Sequence, residues 1–386
     1  MQKMKFLDLF AGIGGFRIGM ESAGHECIGF CEIDKFARAS YKAIHDTKGE
    51  IELHDITTVS DDTIRGIGHV DVICGGFPCQ AFSIAGARRG FEDTRGTLFF
   101  EIARFASILK PRYLFLENVK GLLNHDRGNT FEVILSALDE LGYDVEWQVL
   151  NSKNFGVPQN RERVFIIGHL RGGSGRKVFP LSGDGAAITC EQPKINKVGN
   201  IRKKGKSQSG DVVSIDSSAP TLCSTTTQKD PLKVLIENEI KQFGVLQPNY
   251  NQSGVIYEID GISPTIRAYQ GGSLEPKIRV KEATSQGYAE AQIGDSVNLS
   301  HPNSKTRRGR VGKQVANTLL TGESQGVIEP DFRIRKLTPR ECWRLQGFPD
   351  WAFDKAQKVN SNSQLYKQAG NSVTVNVIAE IAKELQ

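Results

Sequence analysis

The sequence predicts an α/β fold: a doubly wound, mostly parallel sheet with a smaller, irregular, β-rich domain inserted into it. Three observations lead there. Residues 1 to about 170 alternate short apolar runs with amphipathic stretches, the pattern of a parallel sheet covered by helices. From Gly172 to Asp331 Gly, Ser, Thr and Lys become frequent and helical periodicity fades, which reads as short strands and long loops. At Arg335 the α/β texture returns. The predicted division is therefore 1–171, 172–331 and 332–386, with the first and last parts forming one domain.

Each element has its own signature. Short apolar runs bounded by polar or glycine-containing turns predict strands at Lys5–Phe10, Glu26–Cys31, Val70–Cys74, Tyr113–Leu116, Tyr143–Leu150 and Val164–Gly168. Amphipathic spacing predicts helices near Phe16–Ser22, Lys35–Ile44, Thr97–Leu109 and Thr130–Leu141. Thr338 is a good N-cap, Pro339 suits the first helical position and Glu341 completes a capping box. A last helix is expected from Ser372 to Leu385, after Gly370-Asn371. Within the inserted stretch Thr221-Leu222, Thr265-Ile266 and Thr318-Leu319 echo one another. They are either copies of one unit or recurrent strand–turn composition.

With 386 residues and a net charge of +5, the chain is mildly basic. That balance permits a nucleic-acid partner without requiring one. Seven cysteines occur, with no Cys-x-x-Cys and no Cys/His cluster, so neither a disulfide framework nor a metal site is expected. No apolar run approaches the ~20 residues that span a membrane, and Met1–Phe6 leads straight into a strand. Free thiols suit a reducing cytosol, so a cytoplasmic location is expected.

The residues that carry chemistry fall at strand ends, where ligands of such sheets bind. Gly75-Gly76-Phe77-Pro78-Cys79-Gln80 follows the third predicted strand. Pro78 and Gln80 put Cys79 in a polar loop, whereas Cys27, Cys31, Cys74, Cys190, Cys223 and Cys342 read as packing residues. The stretch on to Gly96, with Ser83, Gly86, Arg88, Arg89 and Gly90, reads as a mobile loop that closes over a substrate. Glu117 follows the next strand. Buried, its carboxyl has a raised pKa and can donate a proton; an ion pair with Lys120 is the alternative. Arg161 and Arg163 share one face by strand alternation, which suits a common role; a surface pairing with Glu162 is the alternative. A thiol, an acid and a guanidinium together suit covalent attack on a pyrimidine ring.

Upstream, Asp8-Leu9-Phe10-Ala11-Gly12-Ile13-Gly14-Gly15-Phe16 is a strand, a glycine turn and a helix start, where a ligand can approach the backbone. It lacks the third glycine of a dinucleotide fingerprint. Glu32 ends the second strand, a position from which a carboxylate holds ribose hydroxyls. Asp34 and Asp55 either edge a nucleoside or cap helices.

In chain order, DLFAGIGG, Glu32, Asp55-Ile56, GGFPCQAFSIAG, Glu117-Asn118-Val119, Gln159-Asn160-Arg161-Glu162-Arg163, Leu337-Thr338-Pro339-Arg340-Glu341 and Gly370-Asn371-Ser372-Val373 give a chain that resembles the C5-cytosine-specific DNA methyltransferases of bacteria and phages. The resemblance covers nearly everything outside 172–331. It implies the fold of S-adenosylmethionine-dependent methyltransferases, with S-adenosyl-L-methionine as methyl donor, S-adenosyl-L-homocysteine as product and no metal. It implies that the cofactor lies across Phe10, Ala11, Gly12, Gly14, Gly15 and Phe16, with Glu32 on the ribose and Ile33, Asp55 and Ile56 about the adenine. Gly76, Pro78 and Leu98 would line the methionine side, and Asn371, Ser372 and Val373 would close the pocket. The target cytosine would leave the duplex. Cys79 would attack C6, Glu117 would donate to N3, and Arg163, with Arg161 beside it, would complete the catalytic set by contacting O2.

The same resemblance makes 172–331 the target recognition domain. Thr265-Ile266 would be its Thr-Leu element and read base edges in the major groove. Lys305, Arg307, Arg308 and Arg310 would bind phosphates, or form a solvated basic loop. Gln80 and Ser83 would fill the gap left by the flipped base, and Arg88 and Arg89 of the same loop would touch DNA. The implied partner is double-stranded DNA, engaged by a monomer. The enzyme would be an orphan, or would serve a restriction–modification system whose endonuclease acts on the same site without binding it. Other readings compete. A tRNA cytosine methyltransferase on this fold does not call for so long an inserted region. An inactive DNA-binding homologue has no need of Cys79, Glu117 and Arg163. A dehydrogenase is opposed by the missing glycine, and an amino-methylating enzyme by the lack of an Asp/Asn/Ser-Pro-Pro-aromatic motif.

Overall fold

The computed structural model describes residues 3–78, 98–173, 176–181, 197–200, 211–213, 242–245, 255–257, 278–301, 304–322, 325–330 and 333–385. The chain forms two compact units. The first is Met1–Ala186 with Val315–Gln325 and Lys336–Gln386; the second is Ala187–Gln314 with Gly326–Arg335.

A seven-stranded sheet organises the first unit. Its strands are β1 (Lys5–Leu9), β2 (Glu26–Cys31), β3 (Ile51–Leu53), β4 (Val72–Gly76), β5 (Tyr113–Val119), β6 (Tyr143–Asn151) and β7 (Glu162–Leu170), in the order β3-β2-β1-β4-β5-β7-β6. The pairs from β3 across to β5 are parallel, whereas β7 runs antiparallel to both β5 and β6. This is the doubly wound, mostly parallel sheet expected from the sequence, with β7 as its one reversed strand. Strand order turns back between β1 and β4, and the crevice beyond their carboxyl ends is where such sheets hold ligands.

Alternation along the strands builds a core on each face. Leu7, Leu9, Ile73, Leu114, Leu116, Val164 and Ile166 point to one side, where α4 (Leu98–Leu109) and α5 (Asn129–Glu140) supply Phe99, Ile102, Phe105, Ile134 and Leu138. Phe6, Val72, Cys74, Phe115, Phe165 and Ile167 point to the other. There they meet Phe16 and Met20 of α1 (Gly15–Ser22) and Ile378 and Ile381 of the last helix, α9 (Val375–Glu384). Between them come α2 (Lys35–Ile44), the short α3 (Asp61–Arg65), α6 (Pro339–Leu345), α7 (Asp350–Ala356) and α8 (Asn362–Asn371). Helix α1 lies tight against α9 because Gly19 has no side chain; a Cβ there would sit 2.6 Å from Cβ of Ile378. A third core gathers Ile13, Leu319, Trp343, Phe348, Phe353 and Leu365 among α6, α7 and α8.

The expected elements form with local differences. Strand β4 begins at Val72, just after Asp71, whose carboxylate accepts the Lys5 N–H at 2.8 Å. Strand β5 continues to Val119, so Glu117 and Asn118 lie within it. Helix α9 starts only at Val375, which leaves Ser372 and Thr374 extended. The capping box of α6 forms: Thr338 Oγ1 accepts the Glu341 N–H at 3.3 Å, and Glu341 Oε2 accepts the Thr338 N–H at 2.7 Å.

The second unit is β-rich. Strands β8 (Lys197–Asn200) and β9 (Asp211–Val213), β10 (Gln242–Val245) and β11 (Val255–Tyr257), and β12 (Ile278–Lys281) and β13 (Tyr288–Ala291) form antiparallel pairs. Four more, β14 (Ser296–Asn298), β15 (Val311–Gly312), β16 (Gln325–Ile328) and β17 (Ile334–Lys336), form a sheet in the order β15-β14-β16-β17. Among the echoing pairs, Thr318-Leu319 falls in the first unit, while Thr221-Leu222 and Thr265-Ile266 lie outside the described residues. No helix among the described residues is long and apolar enough to cross a membrane.

Trp343 tests the third core. It is fully buried, its ring meets Phe348 at 5.1 Å and Phe353 at 5.5 Å, and its Nε1 donates to the Leu365 carbonyl at 3.0 Å. Trp343→Ala is expected to cost about 3–5 kcal/mol, read as a lower denaturant midpoint at unchanged slope. A cost below about 1 kcal/mol would mean that this core adds little.

Candidate active site

The loop after β1 is shaped by backbone conformations that favour glycine. Phe10, Gly12 and Gly14 have φ of 54°, 56° and 83°. A Cβ on Gly14 would meet His45 Nε2 at 2.2 Å, whereas Gly12 faces open space. Phe10 is the exception, a non-glycine residue in the left-handed region, where backbone strain collects at functional sites. Beside this loop, Glu32 is fixed through both oxygens: Oε2 accepts the Gly12 N–H and Oε1 the Asp34 N–H, each at 2.7 Å. Burial pushes the Glu32 carboxyl above its usual range, and the two N–H bonds oppose that rise. Asp34 caps α2 through the N–H groups of Phe36 and Ala37 and takes Lys367 Nζ at 2.7 Å. Burial alone would raise Asp34, but the Lys367 bond and the helix N–H groups hold it below the usual range.

At the other end of the crevice stand Glu117 and Arg163. Arg163 Nε lies 3.0 Å from Glu117 Oε1. In the β5–β7 ladder Val119 faces Arg163 and Glu117 faces Phe165, so carboxyl and guanidinium are diagonal neighbours on one face. Gly76 on β4 makes room for the carboxyl; a Cβ there would lie 3.2 Å from Glu117 Oε2. Burial raises the Glu117 pKa even though Arg163 and Arg161 both pull it down. Lys120, the alternative partner, is instead bonded to Glu162 at 3.0 Å, which also removes the pairing of Glu162 with the arginine side chains.

These groups line one cavity of about 450 Å³, with Phe10, Gly12, Phe16 and Glu32 on one side, Gly76 to Pro78 and Glu117 on another, and Gly370 to Val373 closing it. Arg161 and Arg163 both line it, but their partners differ. Arg161 Nη2 donates to the carbonyls of Gly370 at 3.2 Å and Ser372 at 2.7 Å, and Nη1 to that of Leu319 at 3.5 Å. Burial, with Arg163 beside it, pulls the Arg161 pKa down to about 9, still charged at neutral pH.

Other candidates fall elsewhere. Ile33 is exposed, Asp55 caps a short 3-10 turn through the Thr57 N–H, Ile56 is buried, and Leu98 begins α4; none of the four is in the cavity wall. Both Asp34 and Asp55 are N-caps, and Asp34 also lines the cavity. Cys79, Gln80, Ser83, Arg88, Arg89, Thr265 and Ile266 lie outside the described residues. Lys305 and Arg308 are exposed and Arg307 is half-buried. Arg310 is buried, with Nε on the Asn298 carbonyl at 3.0 Å and Nη1 on that of Lys281 at 2.9 Å. Burial pushes the thiols of Cys27, Cys31 and Cys342 up to about 12 and that of Cys74 well above its usual value, as packing residues require. Asn118 had no assigned role. Its Nδ2 donates to the Phe77 carbonyl at 2.9 Å, which fixes the chain leading towards Cys79; its place next to Glu117 was the available signal.

The fold and this crevice define a class. The family described as C-5 cytosine-specific DNA methylase matches residues 4–386. Over 456 aligned residues the chain is 34% identical to the orphan methyltransferase M.SPRI of Bacillus phage SPR, covering 100% of this chain and 98% of that one. It is 36% identical over 387 residues to the type II methyltransferase M.HhaI of Haemophilus parahaemolyticus, covering 98% and 93%. A solved Spodoptera frugiperda DNMT2 structure shares the fold at a TM-score of 0.52 and 17% identity, covering 99% of each chain. The protein belongs to the C-5 cytosine-specific DNA methylase family. It is an S-adenosylmethionine-dependent DNA cytosine-5 methyltransferase.

The raised Glu117 pKa has a measurable consequence. Folded Glu117 keeps its proton to a higher pH than the unfolded chain does. Its stabilising contribution is therefore full below the ordinary carboxylate range and is lost as pH rises through the folded value. Glu117→Gln, neutral throughout, should gain stability relative to the native chain as pH rises from the ordinary carboxylate range through the folded value. Chemical denaturation at both ends checks this; a constant difference would mean that Glu117 titrates normally.

Proposed function

We propose that the chain methylates C5 of a cytosine extruded from a short duplex sequence, through a covalent adduct between Cys79 and C6. The observation that carries this is the Glu117–Arg163 pair, 3.0 Å apart, in the same cavity as the glycine loop and Glu32. The residues present fit an adenosyl cofactor. The Glu32 carboxylate keeps lone pairs free for vicinal hydroxyls, Gly12 opens on space, and Phe10, Phe16 and Val373 offer apolar walls. Gly76 and Pro78, with Asn371 and Ser372, complete the cavity on the side of the methionine chain. Bound S-adenosylmethionine supplies an electrophilic methyl group on sulfur.

The chain's own residues prepare the base. The Cys79 thiolate forms a bond to C6, and the ring electrons move towards N3, which takes the Glu117 proton. Arg163 holds O2 and steadies the carboxylate it already contacts. C5, now nucleophilic, would take the methyl group as the methyl–sulfur bond breaks, with S-adenosylhomocysteine as the leaving group. A water then removes the C5 proton, the S–C6 bond breaks, the thiolate leaves and N3 returns its proton to Glu117.

Residues 172–331 are assigned to target recognition, with base readout near Thr265-Ile266 and phosphate contacts from Lys305, Arg307 and Arg308. Arg310, tied to two carbonyls, would support that basic loop from within. The loop carrying Gln80, Ser83, Arg88 and Arg89 is assigned to the DNA left behind by the flipped base. The enzyme would act as a monomer, either alone or beside a restriction endonuclease of the same target.

Methyl-labelled S-adenosylmethionine with unmethylated genomic DNA, followed by bisulfite sequencing, should mark cytosines in one short motif. Label in tRNA instead would replace this reading. Cys79→Ser is expected to abolish transfer while cofactor binding survives; unchanged turnover would remove the covalent mechanism. Exchanging 172–331 for a relative's segment should move the methylated motif, and an unmoved motif would refute the recognition assignment.

A further inference from the structure

Val315–Gln325 packs in the first unit, although the chain enters it from Gln314 and leaves it at Gly326, both in the second. Residues 316–321 form a strap. One side is sewn to the connection between β6 and β7. The Asn160 N–H donates to the Ala316 carbonyl and the Ala316 N–H to the Pro158 carbonyl, each at 2.8 Å. Thr318 Oγ1 donates to the Asn160 carbonyl at 2.8 Å, and the Leu319 N–H to Gln159 Oε1 at 3.1 Å. The other side lies on the cavity wall. A Cβ on Gly370 would come within 2.4 Å of the Leu320 carbonyl oxygen, so strap and wall are in backbone contact at a residue without a side chain. Arg161 joins the two, with one guanidinium on the carbonyls of Leu319, Gly370 and Ser372.

We propose that Arg161 is a positioning residue that locks this strap to the cofactor wall, so that duplex and cofactor strengthen each other's binding. The proposal rests on the assignment of 172–331 to target recognition. The strap is continuous in sequence with the second unit at both ends. Ordering of the chain at Gln314 and Gly326 by a duplex therefore restricts the strap. Arg161 passes that restriction to Gly370 and Ser372, which line the cavity. Coupling of this kind is reciprocal. A planar fork reaching three carbonyls is a task for arginine, because lysine has a single flexible ammonium.

The test is the affinity for S-adenosylhomocysteine with and without an unmethylated duplex carrying the motif mapped by bisulfite sequencing, measured by calorimetry. The native chain should bind it about tenfold tighter with the duplex. Arg161→Lys should bring that ratio to within about twofold of unity. Thr318→Val removes only the hydroxyl's bond to the Asn160 carbonyl, outside the cavity; it should lower the ratio while leaving affinity without DNA unchanged. A native ratio near one overturns the proposal, as does a native ratio kept by both variants. Equal losses with and without duplex in Arg161→Lys, at constant ratio, would reduce Arg161 to a structural part of the pocket. Should Arg161→Lys melt early, Thr318→Val decides alone. Failure of the recognition assignment would show separately, as a motif unmoved by the segment exchange.

Discussion

Glu117 and Arg163 are held together where water is scarce, and much of the first unit serves to keep them so. A carboxyl buried at this depth favours its neutral form; two arginines nearby pull the other way, and burial prevails. That balance holds the carboxyl above its ordinary range. It depends on Gly76, whose missing side chain admits the carboxyl beside β4, and on β7 running backwards. Because β7 is antiparallel to β5, its first residues lie at the edge where β5 ends. An all-parallel sheet would have sent Arg163 to the opposite edge.

The glycine loop is held from beneath by a polar layer. Arg17 of α1 makes two bonds to Glu50, at 2.7 and 2.8 Å, and one to Glu21 at 2.8 Å, tying the helix that follows the loop to the segment after α2. Burial and the Arg17 charge keep His45 neutral, with a pKa pulled down to about 3, so the ring under Gly14 carries no charge to oppose Arg17. Loop shape is thus set by buried contacts behind it as well as by its own glycines.

Much of this was readable in the residues because it rests on local rules. Short apolar runs marked β1, β4, β5 and β7, strand alternation put Arg161 and Arg163 on one face, and Thr338, Pro339 and Glu341 announced α6. Glu32 and Glu117 stood at strand ends, the positions that line such crevices. What escaped depends on contacts between distant segments. The three residues of β3 are too few to show a period. The roles of Arg161 and Asn118 are set by carbonyls at 319, 370, 372 and 77, which no spacing reveals. Arg310 sits in a run of cations, and only its neighbours in space turn it inward. Residues 315–325 share the texture of the inserted stretch, yet Leu319 packs with Trp343.

The ladder between β5 and β7 also makes the pairing of carboxyl and guanidinium a matter of parity. Seven consecutive pairs, from Tyr113 with His169 to Val119 with Arg163, fix which face each side chain takes. Substitutions along β7 leave that assignment alone. Loss or gain of a single residue between Arg163 and Phe165 would turn Arg163 to the opposite face while the apolar residues kept their places. A gain of two would restore the face but move the guanidinium two pairs along. The length of this strand segment is therefore under tighter physical restraint than its composition.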